Sequence, residues 1–185
     1  MANVEIKVFE NISIKDKIVF DKFIDENWGE HFHEDEAGRA LEFFDTPKIY
    51  VVGYKNNKVV GLFLIYDREI EFEGNKIKLA GLGGVVTRVD CRRQGIMSQI
   101  LQKFFSQYVA KYKFDIAMLC TDIKKLGKLY GRVGFVPINR SYFFMDKNGV
   151  EKEELGGMIL GLNNKAVVAK ILNSKTKLFV GNSNF

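Results

Sequence analysis

A chain of 185 residues fits one domain of ordinary size, with enough interior to hold a core and a site. Its apolar share of 46 % and charged share of 28 % are those of a soluble globular protein, and its longest strongly apolar run, residues 59–66, is too short to span a bilayer. The net charge of +5 is compatible with a polyanionic partner, but most basic residues are interspersed with acidic ones, which reads more plainly as a solvated surface.

The elements follow in chain order. Residues 4–9 alternate enough to make a first strand. Ile14, Ile18, Val19, Phe23 and Ile24 then fall at helical spacing over residues 14–28. Residues 27–38 are polar, acidic and aromatic, and Ala40, Leu41, Phe43 and Phe44 predict a second short helix, ended by Thr46-Pro47. Three strands come next, over residues 48–54, 58–67 and 76–87, separated by Lys55-Asn56-Asn57 and Glu73-Gly74-Asn75. Such short connections predict an antiparallel meander.

After Thr87 the character changes. Residues 88–94 form a polar loop containing Arg88, Arg92 and Arg93, and Gly95 opens a long amphipathic helix. Its apolar positions, from Ile96, Ile100 and Leu101 through Phe104 and Phe105 to Tyr108, Val109 and Tyr112, carry the strongest periodic signal in the chain. Residues 114–120 predict a short buried strand. Leu126, Leu129, Tyr130 and Val133 mark another helix, stopped by Gly134, and residues 135–145 predict a further strand. Beyond Asp146 the signal weakens: Gly156-Gly157 interrupts, residues 166–172 suggest a helix and residues 177–180 a last strand.

Cys91 and Cys120 stand far apart with no C-x-x-C pair, which argues for a reducing compartment. Residues 1–15 lack the hydrophobic stretch of a signal peptide, so the expected location is cytoplasmic.

The chemistry concentrates in residues 85–98. A helix N-terminus presents unpaired backbone N–H groups and the positive end of its dipole, and together these bind phosphate. Gly95 allows close backbone approach, Arg92 and Arg93 add charge, and Ser98 adds a hydroxyl donor. Read alone, the segment is equally a glycine-bearing loop with solvated arginines. The rival dinucleotide reading of Gly81-Leu82-Gly83-Gly84 fails, because those glycines run into a strand where that fingerprint needs a helix.

The pattern Arg92-x-x-Gly95-x-Met97, after a strand and opening a long helix, resembles the coenzyme A signature of the GNAT superfamily of acyltransferases. The signature has Gln or Arg, two residues, Gly, one residue, then Gly or Ala, so Met97 is a departure. Tyr130-Gly131-Arg132-Val133-Gly134-Phe135 resembles the family's closing motif, and the order of elements over residues 3–146 is the family's. The resemblance implies an α/β (α+β) fold, with a mixed, mostly antiparallel central sheet flanked by helices and with splayed central strands. It implies an acetyltransferase domain over residues 1–146, with residues 147–185 an extension packed on the same domain. Acetyl-CoA would be the cosubstrate. Val85, Val86 and Thr87 would face the pantetheine arm, and Arg92, Arg93, Gln94, Gly95, Ile96, Met97 and Ser98 the pyrophosphate. Gly81, Gly83 and Gly84 would suit a bulge or a close backbone approach, or simply tight packing.

Tyr130 is the implied general acid. A tyrosine is protonated at neutral pH and can donate to a departing thiolate. Without the resemblance it reads as a core tyrosine closing against Phe135. No general base stands out, since residues 79–86 contain no carboxylate. Glu26, Glu30, His31, His33, Glu34, Asp35 and Asp122 are candidates, and the acidic front segment would attract a cationic amine. His31 and His33 with their acidic neighbours lack a third metal ligand placed by spacing, so no metal is expected.

The expected function is N-acetyl transfer from acetyl-CoA directly to a primary amine of a small molecule or peptide. The alternative is a catalytically weak GNAT-like module that binds acyl-CoA or a partner protein. Met97, the missing strand carboxylate, and Ile123 (where many members carry an asparagine) keep that alternative in play. Neither nucleic acid nor a membrane is an expected partner, and pairing into a homodimer is left open.

Overall fold

The computed structural model describes residues 4–28 and 42–185. Its main sheet has seven strands: β1 (Glu5–Phe9), β2 (Ile49–Lys55), β3 (Lys58–Phe72), β4 (Asn75–Thr87), β5 (Ile116–Cys120), β6 (Val136–Pro137) and β9 (Gly157–Gly161). Their order is β1-β2-β3-β4-β5-β9-β6, and every neighbouring pair is antiparallel except β4 with β5. Strands β7 (Tyr142–Met145), β8 (Glu151–Glu154) and β10 (Phe179–Asn182) form a second sheet in the order β10-β7-β8. The helices are α1 (Ile14–Trp28), α2 (Ile96–Tyr112), α3 (Ile123–Gly131) and α4 (Lys165–Asn173). This is the mixed, mostly antiparallel architecture expected from the sequence.

The meander is fixed by its turns. Asn56 and Asn57, at φ 50° and 59°, make the two-residue connection between β2 and β3, and asparagine tolerates that left-handed region better than most residues. Both faces of the sheet are covered. On one, Phe63, Ile65, Ala80, Leu82, Ala117 and Leu119 pack against Ile96, Ile100, Leu101 and Phe104 of α2. The opposite face divides. Phe20, Phe23 and Ile24 of α1 cover Tyr50, Val52, Leu62 and Leu64, while the second sheet and α4 cover Leu79, Ile116, Met118 and Ile159.

Several expectations are corrected. Helix α1 has the expected bounds, but its buried stripe is Phe20, Phe23, Ile24 and Asn27, whereas Ile14, Ile18 and Val19 are exposed. Residues i, i+3, i+4 and i+7 share one face, and the earlier apolar residues fall outside it. Of the residues that predicted a second helix, Ala40 and Leu41 lie outside the described residues; Phe43 and Phe44 are described and are not helical. The strand over residues 135–145 divides in two. Pro137 offers no N–H to extend a ladder, and the chain crosses at Ile138 to the second sheet. Strand β3 extends past Asp67 to Phe72, with Ile70 and Phe72 both buried. Strands β8 and β9 carry no clear sequence signal, yet β9 lies between β5 and β6.

One irregularity positions the site. The β4–β5 pairing runs from Leu79↔Ile116 to Leu82↔Leu119 and stops, while β4 continues five residues to Thr87. Opposite that stretch, Leu62 pairs with Val86 and Leu64 with Gly83, so β4 carries one extra residue. Gly84 sits in this bulge at φ 56°. The two strands therefore part at Gly83.

Candidate active site

Helix α2 begins beside this parting. Its N-cap is Gly95, at φ 73°, with no side-chain cap among the described residues. The amides of the first turn are thus left for an external acceptor. A Cβ on Gly95 would meet nothing within 4 Å, so the space over the helix start is open. Arg93, two residues earlier, also has a positive φ of 62°. Successive turns of this kind direct backbone N–H groups into a concavity suited to an anion.

The expected cofactor-facing residues divide by orientation. Arg93, Gln94 and Gly95 are exposed, and Ser98 is half-buried. Ile96 and Met97 are buried in the core, and the Met97 methyl lies 3.3 Å from where a Gly61 Cβ would stand. The departure at Met97 therefore leaves the mouth of the loop clear: its side chain turns inward and only its backbone faces the helix start. Val85 and Thr87 are half-buried, while Val86 is buried against α1.

Arg92 is drawn back onto the protein. Its guanidinium donates to the carbonyls of Thr87 (3.3 Å) and Asn27. Asn27 in turn accepts from the Val89 amide at 3.1 Å through Oδ1 and donates to the Phe23 carbonyl at 2.9 Å. The C-terminal end of α1 and the loop are thereby tied together, with a cation where a helix C-terminus favours one. Sequence reasoning did not find Asn27; a buried amide near a helix end has no pattern of its own.

Tyr130 lies on α3, which follows β5 directly. Asp122 caps α3 by accepting from the Lys125 amide at 3.2 Å. That bond, together with the Lys125 ammonium, holds its carboxyl below the ordinary range, which makes Asp122 a poor proton acceptor. At the other end the Tyr130 carbonyl accepts from the amides of Val133 and Phe135, and Gly134 adopts φ 106° to turn the chain. The Tyr130 ring is 5 % exposed and meets Phe135 edge-on at 6.0 Å. Burial pushes its hydroxyl up to about 12. No described residue hydrogen-bonds that hydroxyl, which is unusual for a buried polar group. Tyr130 is thus a core tyrosine closed against Phe135, with a hydroxyl that no described residue engages.

Of the base candidates, Glu26 is exposed and paired with Lys22 at 3.6 Å. Glu30, His31, His33, Glu34 and Asp35 lie outside the described residues, and with them the histidines of the metal reading. Among the described residues no helix is long and apolar enough to cross a membrane.

The family model of the acetyltransferase (GNAT) domain matches residues 22–138. The chain belongs to the GNAT acetyltransferase family. GNAT enzymes move an acyl group from an acyl-CoA to an amine, and the uncapped helix start and unsatisfied tyrosine lie inside the matched span. No curated protein matches the chain by sequence. Among solved structures it is similar to a GNAT-family N-acetyltransferase, YhbS, from Escherichia coli in complex with CoA, at 14 % identity over 98 % of this chain and 91 % of that one, TM-score 0.62. It is similar also to Escherichia coli ElaA, at 16 % identity over 85 % and 99 % of the two chains, TM-score 0.57. A conserved protein from Enterococcus faecalis shares 14 % identity over 77 % of this chain, with TM-score 0.54, and there the match spans only 33 % of the longer protein. At these identities the likeness establishes the GNAT fold.

Proposed function

We propose that this chain transfers an acetyl group from acetyl-CoA directly to a primary amine of a small molecule or peptide. The observation that carries the reading is the uncapped, glycine-opened start of α2 beside the parting of β4 from β5. The donor set fits the cosubstrate: backbone amides of residues 95–98 and the exposed Arg93 suit a diphosphate. The unpaired edge of β4 over residues 83–87 suits the amides of a pantetheine arm.

In this reaction the amine lone pair attacks the thioester carbonyl carbon, the C–S bond breaks, and the thiol sulfur takes a proton. Tyr130 supplies that proton or shares it through a hydrogen bond; raised to about 12, its hydroxyl stays in the donating form throughout the neutral range. Amides of the β4 bulge stabilise negative charge as it develops on the carbonyl oxygen. The attacking amine must shed a proton, and no single base is assigned to it; Glu26, Glu30, His31, His33, Glu34 and Asp35 stay candidates, as does a water chain. Location in the cytoplasm, where acetyl-CoA is abundant, accords with two unpaired cysteines.

A weakly catalytic acyl-CoA-binding module is the second reading. It is favoured by Arg92, whose guanidinium is engaged by Thr87 and Asn27, and by the absence of a carboxylate on β4. Calorimetry with CoA at millimolar concentration, followed by an amine panel with acetyl-CoA, separates the readings. Binding with amine-dependent CoA release is expected. Binding without it leaves the module reading, and no binding at all removes both.

A further inference from the structure

The segment after β10 is fixed more firmly than a surface tail requires. Ser183 is fully buried at φ 69°, a left-handed conformation that costs a non-glycine residue about 1–2 kcal/mol. Its hydroxyl offsets the strain by accepting from the amides of Phe44 (3.1 Å) and Asp45 (3.3 Å) and lying 2.9 Å from the Glu42 carbonyl. Arg68 holds the same segment from beneath. Its side chain is 8 % exposed and pairs with Asp45 at 3.1 Å. It donates to the carbonyls of Val180, Ser183 and Asn184 at 3.2, 2.9 and 3.1 Å. A planar fork reaches three carbonyls and a carboxylate together, which a lysine cannot do.

This clamp delivers Phe185 to a particular place. A Cβ on Gly81 would stand 2.7 Å from the Phe185 ring, and one on Gly83 would stand 2.8 Å from the Tyr66 ring and 3.0 Å from the Phe185 carbonyl carbon. Only glycine permits that approach. Gly81 is still paired with Met118 of β5, Gly83 is the first β4 residue beyond that pairing, and the Gly84 bulge follows it, so the Phe185 ring covers the last paired residues and its backbone reaches the edge of the opening. Alternation along β4 puts Gly81 and Gly83 on the face opposite α2, whose core takes Ala80 and Leu82. The Arg68 guanidinium stacks on both rings, 5.6 Å from Tyr66 and 5.2 Å from Phe185.

We propose that Arg68 is a positioning residue for acyl transfer: acting through Phe185, it walls the β4–β5 opening against water on the face opposite α2. The inference rests on the acetyl-transfer reading above. A thioester exposed to water is open to attack by a water oxygen at the carbonyl carbon. The C–S bond then breaks, acetate forms, and of the two protons of water one goes to the CoA sulfur and one to solvent. Excluding water from a reacting centre suppresses such a side reaction, and an aromatic layer pressed on backbone glycines suits that task.

The test uses acetyl-CoA without any amine. Phe185→Ala and Arg68→Met should each raise acetyl-CoA hydrolysis by about tenfold as water gains access, with CoA affinity by calorimetry changed less than about twofold. The double variant should hydrolyse no faster than either single, because both remove the same wall. Arg68→Lys should fall between wild type and Arg68→Met. Should Arg68→Met fail to fold, Phe185→Ala and Arg68→Lys carry the comparison. A folded Phe185→Ala protein that binds CoA and hydrolyses acetyl-CoA at the wild-type rate overturns the proposal, as does strict additivity in the double variant. A wild-type protein that binds no CoA overturns the acetyl-transfer reading itself, and the wall with it.

Discussion

Tyr130 owes its burial to where its helix stops, and the proposed acid role depends on that burial. The turn at Gly134 brings Phe135 back against the tyrosine ring, and the packing that results is what desolvates the hydroxyl. Because burial disfavours the phenolate, the donating form persists well past the point where a free tyrosine near ~10 would ionise. The alkaline side of a pH–rate profile should therefore show no fall from Tyr130 between pH ~8 and ~10. Rates there should instead rise or level as the acceptor amine loses its proton. Tyr130→Phe removes one hydroxyl that has no partner among the described residues, so stability should change little. Turnover should drop by roughly ten- to a thousandfold with CoA affinity nearly unchanged, the usual range for a lost general acid. Steady-state kinetics beside calorimetry checks both halves, and an unaltered kcat takes Tyr130 out of the mechanism.

At the level of elements, the start of α2 offers a cleaner substitution than most. Gly95 needs φ 73° yet has nothing within 4 Å of a would-be Cβ, so Gly95→Ala introduces conformational strain without a clash inside the protein. The expected cost is about 1–2 kcal/mol, measured by denaturant unfolding. The added methyl also stands where the diphosphate would approach, so CoA affinity should fall about tenfold or more, the opposite pattern to Tyr130→Phe. The helix itself was legible because Ile96, Ile100, Leu101 and Phe104 repeat at three and four, and the meander because Asn56-Asn57 and Glu73-Gly74 announce their turns. The orientation of single side chains was not. Arg92 reads as a phosphate ligand, but the carbonyl that draws it back belongs to Asn27, 65 positions away. Arg68 escaped notice because β3 was expected to end at Asp67, and the partners that give it meaning are more than 110 positions distant. Local pattern reports helix faces and turns; a guanidinium satisfied by distant carbonyls leaves no periodic trace.

At the scale of the whole molecule, residues 147–185 are woven into both sheets. Strand β9 pairs with β5 from Ile116↔Gly161 to Cys120↔Gly157, and among the described residues β6 pairs only with β9. The chain leading from Tyr130 through Phe135 therefore joins the main sheet by way of residues that come after it in sequence. Ile159 is fully buried in that strand, facing Met118 on β5 and Val136 on β6. Truncating it to alanine should cost about 2–5 kcal/mol, the range for a buried isoleucine whose cavity closes only in part. If β9 and the CoA site belong to one cooperative unit, heat should unfold the Ile159→Ala protein in a single transition at lower temperature. CoA should then raise that midpoint as it does for wild type, since ligand binding to the native state stabilises by mass action. A chain cut after Asp146 removes the strand that links β6 to β5 and bares Met118 and Leu119, so it should show no cooperative transition and no CoA protection. A truncated chain that melts cooperatively and is protected by CoA would separate the site from residues 147–185, and the wall formed by Phe185 would then be an addition to a core that stands without it.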